Sequence, residues 1–310
     1  MEEIKNMWVN PFSVDRVEDW RVEERPENYI KIATLFSPPD FMNKLEDPAI
    51  TKAIFIIGGR GCGKSHILRR MAIQSEIEAL EAKSNRKLRV ADFEKEYFGV
   101  YIKTDCFSPL SKEGITYLKK EQLEVLFEHL FNIEVAKAII EGVQFLPAYF
   151  EDSSLVNETI ICKKIETYLK WNCGPINHFS DLLECLNNQA KQITELVKNF
   201  PFDDDFKKYS SKLHFTQTPN FIIDIYSTIC NGIGLLKNKS LILLLDEYES
   251  LDENQQRVIN QIIKGRRLTL RIAVKVRGIK TLHTKTGERL DEIHDYVPID
   301  LHFKLDRVNR

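Results

Sequence analysis

AIFIIGGRGCGKS, Ala53–Ser65, is the stretch on which the fold turns. Five apolar residues, Ala53 to Ile57, break into a glycine-rich loop that closes on Lys64 and Ser65. An unbroken apolar run of this length suits a parallel strand covered on both faces. The spacing Gly58-x-x-x-x-Gly63-Lys64-Ser65 is that of a phosphate-binding loop. Glycines let successive backbone N–H groups line a concavity where a Cβ would obstruct a phosphate. Gly58, Gly59, Arg60, Gly61, Cys62, Gly63, Lys64, Ser65 and His66 are therefore the expected nucleotide-binding residues. Lys64 would reach the β- and γ-phosphates, the Ser65 hydroxyl would hold Mg²⁺, and the following helix would add the partial positive charge of its N-terminus. Cys62 reads as a small tolerated side chain in preference to a redox switch.

Working outward, Leu241–Leu245 (LILLL) is a second unbroken aliphatic run, and it ends in Asp246 and Glu247. Ligands in open α/β sheets bind beyond the carboxyl ends of the strands. A carboxylate pair there is the natural partner of the glycine loop, with Asp246 expected to join Ser65 in holding Mg²⁺. Glu247 is expected to be the general base that polarises an attacking water. Adenine is the expected base: the nearest approach to a guanine-reading NKxD element, Asn238-Lys239-Ser240, lacks the Asp. The pattern predicts further strands at Tyr97–Thr104, Leu268–Val276 and Tyr296–Leu301. One helix is expected from the loop to about Lys83, and another over Asp252–Lys264, with Asp252 as its N-cap and Gly265 as its terminator. Helical periodicity dominates from Lys119 to Lys239, with stretches near Glu158–Trp171, Ser180–Asn199 and Asn220–Leu236, and PFDDD (Pro201–Asp205) as a break.

The expected division is an N-terminal segment over 1–50, packed on the core through Trp8, Phe12, Trp20, Tyr29, Phe36 and Phe41. Then come the first part of the core over 51–118, a helical insertion over 119–239 and the second part of the core over 240–310. A net charge of −2 gives no global attraction to nucleic acid or an anionic membrane. No apolar run approaches the roughly 20 residues of a membrane span. With an acidic start unlike a signal peptide and six scattered cysteines, the reading is a cytoplasmic protein with reduced thiols and no membrane partner. Lys264 to Arg289 is locally basic. It reads as a solvated face, as a DNA-binding surface using Arg266, Arg267 and Arg271, as a γ-phosphate sensor in Lys275 or Arg277, or as an arginine finger in Arg266 or Arg267.

The loop, the strand ending in Asp246-Glu247 and the helix and strand after it resemble an AAA+ ATPase core. LLLDEYESLDENQQRVINQIIKGRR is most similar to the origin-recognition-complex-type ATPases and their bacterial relatives, many of which serve in phage defence or mobile elements. The resemblance spans roughly 50–105 and 240–301 and leaves the middle helices unmatched. It implies a P-loop NTPase fold: a five-stranded parallel α/β sheet with the phosphate-loop strand central and the Asp246 strand nearby. It further implies ATP and Mg²⁺ as cofactors, phosphate and metal binding by Lys64, Ser65 and Asp246, and catalysis by Glu247. AAA+ chains usually continue into a helical lid, and this sequence stops at Arg310. The lid is thus missing, replaced by the middle helices, or carried by a longer protein. Lys275 stands where a polar sensor is usual. Both departures favour a slow ATPase switch over a motor, controlling assembly with itself, with a partner protein or with DNA. An alternative is an ATP-bound scaffold docking an effector such as a nuclease.

Overall fold

The computed structural model describes residues 38–301, except 112–114, 116, 153–155, 170, 172 and 200–212. Trp8, Phe12, Trp20, Tyr29, Phe36 and the Pro201–Asp205 break lie outside the described residues.

Five parallel strands form one sheet: β1 (Ala53–Gly58), β2 (Tyr97–Lys103), β3 (Ser240–Asp246), β4 (Thr269–Lys275) and β5 (Tyr296–Asp300), in the order β2-β3-β4-β1-β5. The two apolar runs are buried on both faces, as expected of a covered parallel sheet. In β1, Ala53 and Phe55 enter one core cluster while Ile54 and Ile56 enter the other. In β3, Leu243 and Leu245 enter the first and Ile242 and Leu244 the second. Strand β1 lies between β4 and β5, and β4 separates it from β3. The carboxyl ends of β1, β3 and β4, which lead into the loop before Lys64 and carry Asp246 and Lys275, therefore open at one edge of the sheet.

Helices α1 (Met42–Glu46) and α2 (Lys64–Met71) supply Met42, Leu45, Ile67, Leu68 and Met71 to the second cluster. The single helix expected after the loop is in fact two. Helix α2 stops at Met71, Ala72 is extended (φ −66°, ψ 138°), and α3 runs from Ile73 to Ser84. Ile73 and Ile77 of α3 belong to the first cluster, so the break turns the chain from one face of the sheet towards the other. It does so across Gly99 of β2, where an added Cβ would lie 2.1 Å from the Met71 carbonyl oxygen. The apolar spacing runs through the break, which is why the sequence reads as continuous.

The middle section begins with α4 (Lys120–Gln144), followed by α5 (Leu146–Tyr149), α6 (Glu158–Glu166), α7 (Phe179–Asn199) and α8 (Asn220–Gly232). Helix α4 covers the sheet directly: Leu126, Phe127, Leu130 and Phe131 share the first cluster with Phe98 and Val100 of β2. Cys173 and Cys185 form a disulfide, with Cα atoms 5.3 Å apart, against the expectation of free thiols throughout. Helix α9 (Glu253–Gly265) is capped as expected, with Asp252 Oδ1 accepting from Gln255 N at 2.9 Å. Its left-handed C-cap is Arg266 (φ 52°), one residue beyond the expected Gly265. Among the described residues, no helix is long and apolar enough to cross a membrane.

One buried group on α4 sets a pH limit on stability. His129 is fully buried, its Nδ1 meets Thr216 Oγ1 at 2.9 Å, and burial lowers its pKa from 6.5 to about 4. Between those values the unfolded chain binds a proton that the folded chain refuses. Stability is thus complete above pH 6.5 and falls as pH drops towards 4, by about 3 kcal/mol. Urea midpoints at pH 7.5 and 4.5 should show this loss, and His129→Gln should make the limb shallower. An unchanged limb in that variant would assign the effect to other groups.

Candidate functional site

The loop between β1 and α2 has the backbone its glycines allow. Gly61 (φ 79°) and Gly63 (φ 87°) occupy the left-handed region, where a side chain is strained. A Cβ on Gly58 would stand 2.5 Å from Cys62 Sγ, so that thiol packs against the end of β1. Lys64 is 9% exposed, and its ammonium donates to the Gly58 and Gly59 carbonyls at 2.8 and 2.7 Å. The cation is thereby held folded over the concavity. The N-terminus of α2 has no side-chain cap, which leaves backbone donors facing the loop. His66 has its pKa lowered by burial and, secondarily, by Arg69 and Arg70.

Across from the loop, Asp246 ends β3 and is 2% exposed. Its Oδ2 accepts from the Tyr101 hydroxyl at 2.6 Å, and its Oδ1 accepts from Glu247 N at 2.9 Å. Burial, then the Asp246 charge, raises the Tyr101 pKa, so the phenol stays a donor. Glu247 takes the left-handed conformation (φ 57°, ψ 39°). The Thr104 hydroxyl lies 2.9 Å from the Asp246 carbonyl, 2.7 Å from that of Glu247 and 2.8 Å from Ser250 Oγ, pinning the corner. The Glu247 carboxylate is half-exposed and faces Lys103 Nζ at 3.6 Å. Burial raises its pKa, with Lys103 opposing and Asp246 adding to the rise.

Arg60, Gly61, Cys62, Gly63, Lys64, Ser65, His66, Asp246, Glu247 and Lys275 line one cavity of about 440 Å³, together with Arg69, Lys103 and Glu249. Lys275 is held at its mouth by Glu249, 2.9 Å away. Arg277 is exposed in a left-handed turn just beyond β4 and is not part of the lining. Arg266 and Arg267 follow α9 at the other end of β4. Arg266 and Lys264 both pair with buried Asp295, at 2.9 and 2.8 Å. Burial pushes that carboxyl up, yet the two cations and the Asp291 N–H hold it down at about 2. Arg267 donates to Asn220 Oδ1 at 2.7 Å. Arg271, expected on a DNA-binding surface, is fully buried.

Sequence reasoning missed Tyr101, Lys103 and Arg69. Lys103 ends a strand that the sequence predicts, but its place beside the acidic pair follows only from the parallel register, which sets it opposite Asp246 at the carboxyl edge of the sheet.

A model of the ORC-CDC6-like family matches residues 10–309. The chain belongs to the ORC-CDC6-like family. It is an ORC/CDC6-type AAA+ ATPase-like protein. The match of this ORC-CDC6-like chain runs through the middle helices, which the narrower resemblance over 50–105 and 240–301 left aside. Searches of the curated proteins and of the solved structures each returned no match. Membership implies nucleotide binding, and the cavity fits that implication. The glycine cradle admits phosphate oxygens, and Lys64 is already fixed above it. The Ser65 hydroxyl and the Asp246 carboxylate are hard oxygen donors suited to an ion that takes its other ligands from phosphate and water.

Proposed function

We propose that this chain binds Mg·ATP in the cavity between β1 and β3 and hydrolyses it slowly, as a switch that controls assembly with further copies or with a partner effector protein. The observation that carries the reading is the convergence of Lys64, Ser65, Asp246 and Glu247 on one cavity. In this reading Gly58–Gly63 and Lys64 hold the phosphates, and Ser65 and Asp246 hold Mg²⁺, which neutralises charge developing on the γ-phosphate. Glu247 accepts the proton of the attacking water. Lys275, restrained by Glu249, becomes the cation that senses the γ-phosphate. Lys103 beside Glu247 supports slow turnover, because an ion pair restrains the group that must accept the proton. The resemblance to bacterial phage-defence relatives supports antiviral defence as the setting. DNA binding through 264–289 is the weaker reading, because Lys264, Arg266, Arg267, Lys275 and Lys285 bond within the chain and Arg271 is buried.

Glu247→Gln tests the assignment. The amide keeps the shape of the side chain and loses the base, so ATP affinity should hold within about twofold while ADP release falls roughly 10²–10⁴-fold. Release measured over hours decides: a fully active variant removes Glu247 from its role. Wild-type protein that binds ATP and releases no ADP, alone or with partner, would favour the non-catalytic scaffold.

A further inference from the structure

Asp246 is held by more than its own strand. Tyr101 and Lys103 are two residues apart on β2 and so face the same side of the sheet. Each addresses one member of the acidic pair: the Tyr101 hydroxyl meets Asp246 Oδ2 at 2.6 Å, and Lys103 Nζ faces Glu247 Oε2 at 3.6 Å. With Glu247 N on Oδ1, both oxygens of Asp246 have a fixed donor, and the rotation of the carboxylate is set. The Tyr101 ring is fixed in turn. The Arg69 guanidinium lies over it, 5.0 Å from the centroid. Arg69 is on α2, four residues after Ser65, and therefore on the same helical face one turn later.

We propose that Tyr101 is a positioning residue for the metal-binding carboxylate: its hydroxyl sets the angle at which Asp246 meets Mg²⁺, and Arg69 ties that angle to the helix carrying Ser65. The proposal rests on the reading of Ser65 and Asp246 as the two protein ligands. Ser65 is carried by α2, the helix that follows β1, whereas Asp246 ends β3, and β4 lies between those two strands. Helix α2 packs against β3, and the Tyr101–Arg69 contact adds a side-chain tie between that helix and the Asp246 carboxylate. A tyrosine that merely fills space at the edge strand would do this work with its ring alone. The hydroxyl is the distinguishing atom.

Tyr101→Phe removes that atom, and with it the hydroxyl's bonds to Asp246 and Arg69, while keeping the ring, its packing and the stacking of Arg69 over it. The readout is binding of a fluorescent ATP analogue to the full chain, titrated with Mg²⁺ and repeated in EDTA. Affinity in EDTA should stay within about twofold, while the Mg²⁺ concentration for half-saturation should rise roughly tenfold, as for loss of an outer partner of a metal ligand. Asp246→Asn supplies the cycle: if the hydroxyl acts through Asp246, adding Tyr101→Phe to that variant should produce no further shift. An unchanged Mg²⁺ half-saturation in Tyr101→Phe, or an equal shift in both backgrounds, overturns the proposal. Wild-type binding indifferent to Mg²⁺ would instead overturn the underlying assignment of Ser65 and Asp246, and the proposal with it.

Discussion

Lys64→Ala should leave a folded protein whose ATP binding is severely weakened. The ammonium is almost wholly buried and sits on the Gly58 and Gly59 carbonyls, poised over the concavity that would take the phosphates. Truncating one partner of a buried, hydrogen-bonded charge pair costs roughly 2–5 kcal/mol. In affinity this is a loss of about 30-fold to several thousand-fold. The loop should also loosen in the free protein, because two carbonyls at the end of β1 lose their donor. Equilibrium binding of a labelled ATP analogue, with circular dichroism to confirm the fold, makes the measurement. Unchanged affinity in a folded variant would sink the nucleotide assignment.

Arg271→Ala should be the most damaging single change to stability away from the cavity. The guanidinium donates to five carbonyls: Leu45 (2.7 Å), Asp47 (2.9 Å), Ile50 (3.2 Å), Leu270 (3.2 Å) and Lys52 (3.3 Å). Burial lowers its pKa to about 10, which still leaves it charged at neutral pH. One side chain thus fastens α1 and the chain leading into β1 onto the middle of the sheet. Its removal leaves those carbonyls buried without a donor, a change of roughly 3–5 kcal/mol by analogy with a broken buried ion pair. Lysine would not replace it, because a compact ammonium cannot spread its donors over the fork that guanidinium covers. Urea unfolding should show the loss, and hydrogen exchange should quicken first over residues 42–52. A shift below about 1 kcal/mol would mean that water takes over the five carbonyls.

The architecture was legible wherever burial on both faces left an unbroken apolar run. AIFII and LILLL can be little else, and each leads to a residue of the proposed site, Lys64 beyond the glycine loop and Asp246 at the strand end. What escaped was set by packing between distant segments. The break at Ala72 follows from the contact of Met71 with Gly99, and nothing in the local spacing marks it. Arg271 reads as one more cation in a basic stretch, because its five acceptors are backbone atoms that no side-chain pattern records. Tyr101 and Lys103 look like ordinary strand residues until the parallel register sets Lys103 opposite Asp246. The disulfide between Cys173 and Cys185 depends on a loop and a helix meeting, which spacing alone does not announce.

Glu247 stands in a backbone conformation that glycine adopts freely and a glutamate does not. The strain amounts to about 1 kcal/mol or more, and Thr104 and the Tyr248 turn hold it in place. At this one position the fold and the proposed chemistry want different residues. Glycine would relieve the strain at this position and remove the carboxylate of the proposed site. An engineer seeking a tougher version of this protein would find an easy gain at residue 247, and would lose the proposed base in taking it.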